Sequence, residues 1–309
     1  MLRLGSGHFE HEYSAHDSIT MTHSFLRKAC LLLALGLLLS AAAGAVSAQM
    51  ALQQIHGLVF TADGTGIMLP AHTGLMLYRD GRWRHLPDVP HELRALAVTK
   101  NAIYAIGRFG LDSPLPDARG LMKSTDGGLT WKQLTPSGES DFRLMAAGFH
   151  SDAVYVINTA PNPLMSEPGL HHTQDDGLSW QSAAAHDLPS PIESIAVHPT
   201  DPRTVAMGTL DGLYVSRDSG ATFRPLSGNA VTAAFFDIRG QHVYIARKDT
   251  RAVERVSLNA DGIRSLALPI SAHDFITYIA QNPARSDELA QEFPTEGVGS
   301  RMRANTSSV

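Results

Sequence analysis

The chain of 309 residues carries a single cysteine, Cys30. No disulfide, thiolate zinc site or cysteine nucleophile can be built from the residues beyond it. Lys and Arg are fewer than Asp and Glu, 25 against 30, for a net charge of −5. Without clustered cations a nucleic-acid partner is not expected, and no basic amphipathic helix argues for a membrane surface. The sequence holds no HExxH, no Cys/His ligand spacing, no Gly-rich phosphate loop and no GxSxG elbow. No metal or other cofactor is therefore expected. The histidines scatter, and the adjacent His171 and His172 would point to opposite faces of a strand.

Long apolar runs are also lacking, with one exception. Arg27 and Lys28 precede LLLALGLLLSAAAGAVSA, which closes on the small residues Val46, Ser47 and Ala48. Charged, then apolar, then small is the order of a secretory signal peptide. Residues 1–48 are read as leader and signal peptide, and the remainder as an exported protein, periplasmic or extracellular, with no membrane attachment after cleavage. Cys30 lies ahead of most of the run, not at the cleavage point where a lipid anchor would need it.

What the chain does contain is a repeat. STDGGLTW spans Ser124 to Trp131, TQDDGLSW spans Thr173 to Trp180, and SRDSGATF spans Ser216 to Phe223. The closing aromatics are 49 and 43 residues apart, and YRDGRW, ending at Trp83, stands 48 residues earlier as a degenerate copy. A second landmark keeps the same period: apolar segments begin at Ile55, Leu93, Phe142, Ile192, Val231 and Ile276. Each is followed by a polar turn and a second apolar segment such as AIYAI, AVYVI or HVYIA. Three of the units continue with GLMKS, GLHHT or GLYVS into the octapeptide. β-Branched and aromatic residues punctuated by Gly, Asp and Pro argue for strands, and a period of about 40–50 residues belongs to propeller blades.

The S/T-x-D-x-G-x-T/S-W pattern resembles the BNR, or Asp-box, repeat of sialidases, sortilin-type ectodomains, photosystem assembly factors and several glycoside hydrolases. From roughly Gln53 to Ala290 the order IHGL, PAHTGL, LMKSTDGGLTW, ESDFRLMAAG, GLHHTQDDGLSW, SIAVHPTDP, ITYIAQNP is similar to a bacterial family of exported Asp-box proteins labelled glycosylhydrolases. The resemblance implies an all-β fold, a β-propeller of about six blades over residues 49–290. After Ala290 the chain reads QEFPTEGVGSRMRANTSSV, with no octapeptide and no strand period. Residues 291–309 are expected to be an aberrant polar tail, and the last blade a truncated two-stranded remnant with an unprotected edge.

The octapeptide itself reads as a turn. Asp126, Asp175 and Asp218 can accept hydrogen bonds from their own turns, and Gly128, Gly177 and Gly220 permit backbone angles that a Cβ would penalise. Trp131, Trp180 and Phe223 can bury a large ring between neighbouring blades. A turn is wanted in every blade, whereas an active site is usually single.

Chemistry is sought at the starts of the inner strands, which the resemblance aligns at one mouth of a central channel. Their second positions are His56, Arg94, Arg143, Glu193, Thr232 and Thr277. Such a polar ring could converge on one ligand, a glycan or a protein; the alternative is a set of ordinary solvated strand ends. Asp141 and Glu193, at successive strand starts, are the candidate catalytic pair if the label glycoside hydrolase holds, since that reaction needs two carboxyls flanking the bond. Arg94 and Arg143 could supply part of a carboxylate clamp. The Phe/Tyr-Arg-Ile-Pro element of sialidases is missing ahead of the first Asp box, so a sialidase is not expected. Three readings stand: a ligand-binding propeller, a glycoside hydrolase, and a truncated, non-functional remnant of either.

Overall fold

The computed structural model describes residues 55–71, 74–87, 92–108, 120–135, 140–189, 191–247, 253–259, 262–266, 276–294 and 300–306. The leader and signal peptide expected over residues 1–48 lie outside the described residues. Among those described, all regular structure is strand, arranged in six antiparallel sheets. Blade 1 holds β1 (Val59–Phe60), β2 (Gly66–Ala71), β3 (Gly74–Arg79) and β4 (Arg82–His85). Blade 2 holds β5 (Glu92–Val98), β6 (Ile103–Arg108), β7 (Gly120–Ser124) and β8 (Lys132–Gln133). Blade 3 holds β9 (Phe142–Ala147), β10 (Val154–Asn158), β11 (Gly169–Thr173) and β12 (Gln181–Ala183). Blade 4 holds β13 (Ile192–Val197), β14 (Val205–Thr209), β15 (Gly212–Ser216) and β16 (Arg224–Gly228). Blade 5 holds β17 (Val231–Phe236), β18 (His242–Arg247), β19 (Val253–Ser257) and β20 (Ile263–Leu266). Blade 6 holds β21 (Tyr278–Gln281), β22 (Glu288–Pro294) and β23 (Ser300–Thr306).

The first strand of each blade touches the first strand of the next, and β21 returns to β1, so the ring closes. Each seam between blades holds its own apolar cluster. Met68, Leu75 and Leu93 meet between blades 1 and 2; Ile106, Phe142 and Val156 between 2 and 3; Tyr155, Ile195 and Phe223 between 3 and 4. Leu213, Val243 and Ile245 meet between 4 and 5, Tyr244, Ile276 and Leu289 between 5 and 6, and Phe60, Leu69 and Ala290 between 6 and 1. A sandwiched blade is covered on both faces. This is why the second strands β2, β10, β14 and β18 are buried almost throughout and read as continuous apolar runs instead of alternating. The outer strands β4, β12, β16 and β20 are mostly exposed.

That exposure accounts for a difference from expectation in blade 6. Residues 291–294 continue β22 and residues 300–306 form β23, paired from Glu288↔Thr306 to Pro294↔Ser300. Blade 6 therefore has three strands among the described residues, one fewer than its neighbours and one more than the expected remnant. Backbone pairing extends a sheet outward whether or not the new strand carries an apolar face, so the polar composition of the tail did not announce it. Blade 1 differs as well. Its third and fourth strands are joined by a two-residue turn, Asp80 (φ 55°) and Gly81 (φ 73°), in place of an octapeptide. Positive φ at both positions matches the twist of a tight hairpin.

On the face where the first strand of each blade turns into the second, the turns are stitched together. Lys100 N donates to Phe149 O (2.8 Å) across seam 2–3, and His150 N to Pro199 O (2.7 Å) across 3–4. His198 Nε2 donates to Gly240 O (2.9 Å) across 4–5, Ile238 N to Gln281 Oε1 (2.8 Å) across 5–6, and Asn282 Nδ2 to Gly64 O (2.8 Å) across 6–1. Among the described residues no such bond joins the turn of blade 1 to that of blade 2.

Candidate functional site

The three octapeptides lie at the connection from third to fourth strand in blades 2, 3 and 4. In each, the opening hydroxyl donates to the aspartate and accepts from the glycine N–H: Ser124 Oγ to Asp126 Oδ1 (2.8 Å) with Gly128 N to Ser124 Oγ (2.9 Å). The same pairs recur as Thr173, Asp175 and Gly177, and as Ser216, Asp218 and Gly220. The aspartate also takes the backbone N–H and hydroxyl of the residue four on, Thr130, Ser179 or Thr222. Those hydroxyls are the first cause holding Asp126, Asp175 and Asp218 at about 2, below the ordinary 3.8. Gly128, Gly177 and Gly220 have φ of 91°, 78° and 85°, and a Cβ on Gly220 would lie 2.6 Å from Leu170 of the preceding blade. Trp131, Trp180 and Phe223 pack on the seam with the preceding blade, as Trp83 of blade 1 does on the seam with blade 6. Both oxygens of each carboxylate accept from their own turn, so these groups are engaged in building the turn.

The opposite face of the ring gathers the candidate residues named from the sequence. His56, Arg94, Arg143, Glu193, Thr232 and Thr277, one from each blade, line a single cavity of about 460 Å³ at the channel mouth. The backbone shows how four of them come to face it. The pairing of first with second strand skips one residue at Arg94 (Leu93↔Gly107, then Ala95↔Ile106) and at Arg143 (Phe142↔Asn158, then Leu144↔Ile157). It skips Glu193 (Ile192↔Thr209, then Ser194↔Gly208) and Thr232 (Val231↔Arg247, then Ala233↔Ala246) in the same way. Each is the extra residue of a β-bulge, a device that re-aims one side chain out of the ladder. In blade 6, Thr277 N donates to the carbonyl of Glu292, the residue already paired with Tyr278. Sequence reading placed these residues by alignment but had no signal for the bulge, because an extra residue at a strand start changes no composition.

The mouth is divided by charge. Arg94 Nη1 lies 3.9 Å from Asp141 Oδ1, and Arg143 Nη2 lies 4.0 Å from Glu193 Oε1. These are long ion pairs between half-exposed groups, in which geometry and solvent leave little net attraction. Positive and negative groups thus alternate over blades 2 to 4. Blades 5 and 6 contribute hydroxyls. Thr232 Oγ1 donates within 3.2 Å of the carbonyls of Ala246 and Ile276, and burial pushes the Tyr278 phenol beside Thr277 up to about 12, so it stays protonated. Asp141 is further held by Thr159 Oγ1 at 2.8 Å, a partner sequence reasoning missed. The candidate carboxylates Asp141 and Glu193 each face an arginine of the same mouth, and neither is enclosed by apolar side chains.

A model of the family described as Sortilin-Vps10 (sortilin, neurotensin receptor 3) matches residues 119–267. No curated protein sequence matches the chain. Among solved structures the chain is similar to the GH74 enzyme of Niastella koreensis, at 15% identity over 78% of this chain and 41% of that one, with a TM-score of 0.56. It is similar to a chain of the nidogen/laminin complex at 12% identity over 69% and 79%, with a TM-score of 0.51. An ancestral GH74 enzyme, AFV00434, matches at 13% identity over 82% and 38%, with a TM-score of 0.50. The chain spans about two fifths of the length of both GH74 enzymes, and at these identities the likeness is one of fold. Six sheets closed into a ring, with octapeptide turns in three of them, make this chain a β-propeller of the BNR/Asp-box type.

Proposed function

We propose that the protein is an exported binding propeller that takes a glycan or a segment of a partner protein into its polar mouth. The observation that carries this reading is that four consecutive blades spend a β-bulge on aiming a polar side chain at one cavity. A solvated strand end needs no bulge, since a side chain in register would be wetted equally well. The long ion pairs leave guanidinium and carboxylate groups able to exchange their partners for those of a ligand. Thermal melts with a panel of oligosaccharides and peptides test it: a ligand at a hundredfold excess over its Kd adds about 2.7 kcal/mol to the folded state. The Arg94→Ala/Arg143→Ala double variant should melt like the parent alone and lose that increment. If no compound moves the melt, or the double variant responds like the parent, the mouth is not the binding site.

A glycoside hydrolase is the second reading, favoured by Glu193 in the lining of the mouth and by Asp141 of the preceding blade, which does not line the cavity but lies 3.9 Å from Arg94, which does. Asp141→Asn with Glu193→Gln separates the two: turnover would vanish in a hydrolase while binding stayed measurable. Cleavage that persists in the double variant would remove these residues from any mechanism.

A further inference from the structure

The charges of the mouth are matched pair by pair, and the two pairs are not alike. Arg94 lines the cavity, but its partner Asp141 stands behind it, outside the lining. Asp141 is fixed there by Thr159. The Thr159 hydroxyl lies 2.8 Å from Asp141 Oδ2 and 2.9 Å from the Asp141 carbonyl, and Thr159 N donates to the same carbonyl (3.0 Å). Arg94 therefore comes with a negative charge held beside it. In the second pair both members line the cavity, with Arg143 Nη2 4.0 Å from Glu193 Oε1. Among the described residues neither of these two side chains makes another polar contact.

A separation of 4.0 Å is too long for a hydrogen bond. A half-exposed pair at that distance contributes little, so a ligand gives up little by entering between its members. The gain depends on what enters. A hydroxyl accepts from the guanidinium and donates to the carboxylate through a single oxygen. A ligand carboxylate set on Arg143 instead stands about 4 Å from Glu193, and a ligand ammonium set on Glu193 stands as near to Arg143; like charges at that distance cost about fivefold in affinity even in water. The next two blades continue without charge. Thr232, Thr277 and the protonated phenol of Tyr278 complete that side of the lining.

We infer that the mouth selects an uncharged, hydroxyl-rich ligand, a neutral saccharide, seated between Arg143 and Glu193. The inference rests on the mouth being a binding site and narrows which ligand it takes. A protein segment would need an apolar anchor for its affinity, whereas the six side chains at the strand starts are all polar or charged. The volume of about 460 Å³ lies within the range of small-ligand sites.

An array of immobilised oligosaccharides, probed with the full chain at about pH 8 where ordinary imidazoles are uncharged, tests it. Each neutral sugar is printed beside its 6-carboxy and 6-amino counterparts. A neutral sugar is expected to bind, and both charged counterparts to bind at least about fivefold more weakly. Glu193→Gln and Arg143→Gln should each weaken the neutral sugar by about tenfold, and they should move the discrimination in opposite directions. Glu193→Gln removes the handicap of the carboxylated sugar, and Arg143→Gln that of the aminated one. Both side chains sit at solvated strand-start bulges, so the variants should melt with the parent. A charged counterpart that binds as tightly as its neutral parent, or discrimination that neither variant moves, would overturn the inference. Peptides that bind through Arg143 where no sugar does would also overturn it while leaving the mouth a binding site. If neither sugars nor peptides bind, the reading of the mouth falls with it.

Discussion

Ring closure at Asn282 is the sharpest test of how this fold holds itself together. Between consecutive blades the chain itself runs across the seam; between blades 6 and 1 the described residues are joined by non-covalent contacts alone. The Asn282 side chain, fully buried at that seam, makes four hydrogen bonds, one of them across the seam and three within blade 6. Its Nδ2 donates to Gly64 O (2.8 Å) and Glu288 Oε2 (2.6 Å), and its Oδ1 accepts from Ala284 N (2.9 Å) and Arg285 N (3.2 Å). In Asn282→Ala the exposed Ala284 and Arg285 can turn to water, but the carbonyl of buried Gly64 cannot. One buried acceptor left unsatisfied costs about 1–3 kcal/mol, and loss of the hydrogen bond to the Glu288 carboxylate adds about 1 kcal/mol. A loss of about 2–4 kcal/mol translates into a Tm lower by roughly 4–16 °C at about 2–4 °C per kcal/mol. Circular dichroism melts of the full chain measure it, and hydrogen exchange should show blades 1 and 6 opening first. A variant melting within about 1 °C of the parent would refute the reasoning and leave the seam to its apolar cluster of Ile55, Leu58, Phe60 and Ala290.

Three further outcomes are expected. Asp63, Asp126, Asp175 and Asp218 are all held at about 2 against an ordinary 3.8. Their folded values lie below the unfolded one, so their contribution is complete above the ordinary value and is lost as pH falls through the folded value. Tm should therefore hold down to about pH 5 and fall between about 4 and 2, and Asp175→Asn with Asp218→Asn should flatten that fall. Gly220→Ala should destabilise by about 2–4 kcal/mol in urea unfolding, from a strained φ and a Cβ 2.6 Å from Leu170 and 3.0 Å from Ala183. Its neighbour Ser219, at φ 63°, should respond oppositely, Ser219→Gly being neutral to stabilising by up to about 1 kcal/mol.

Much of the architecture is written along the chain, because a propeller repeats its local physics. The octapeptide hydroxyls, aspartates and glycines act within five residues of one another, so their spacing announces the turn wherever it recurs. The doubly apolar second strands announce a sheet covered on both faces. The proline shared by SIAVHPTDP and ITYIAQNP follows His198 and Asn282, the side chains that stitch two seams, though only their contacts reveal that use. The outer strands were legible only where an octapeptide preceded them; in the tail, β23 took its place by backbone pairing, which polar composition neither favours nor forbids.

The site divides in the same way. The sequence, read with the family resemblance that aligns the strand starts, supplied the identity of the six residues that line the mouth. Tertiary structure decided the rest. It put Arg94 against Asp141 and Arg143 against Glu193, pairs that lie 47 and 50 residues apart in the chain. It opened a groove at the seam between blades 1 and 2 and closed the seam between 6 and 1 through Asn282 and Gly64, which stand 218 residues apart. A repeat dictates what each blade is; the contacts between blades depend on side chains that meet only when the ring has closed, and no local pattern encodes the partner on the other side of a seam.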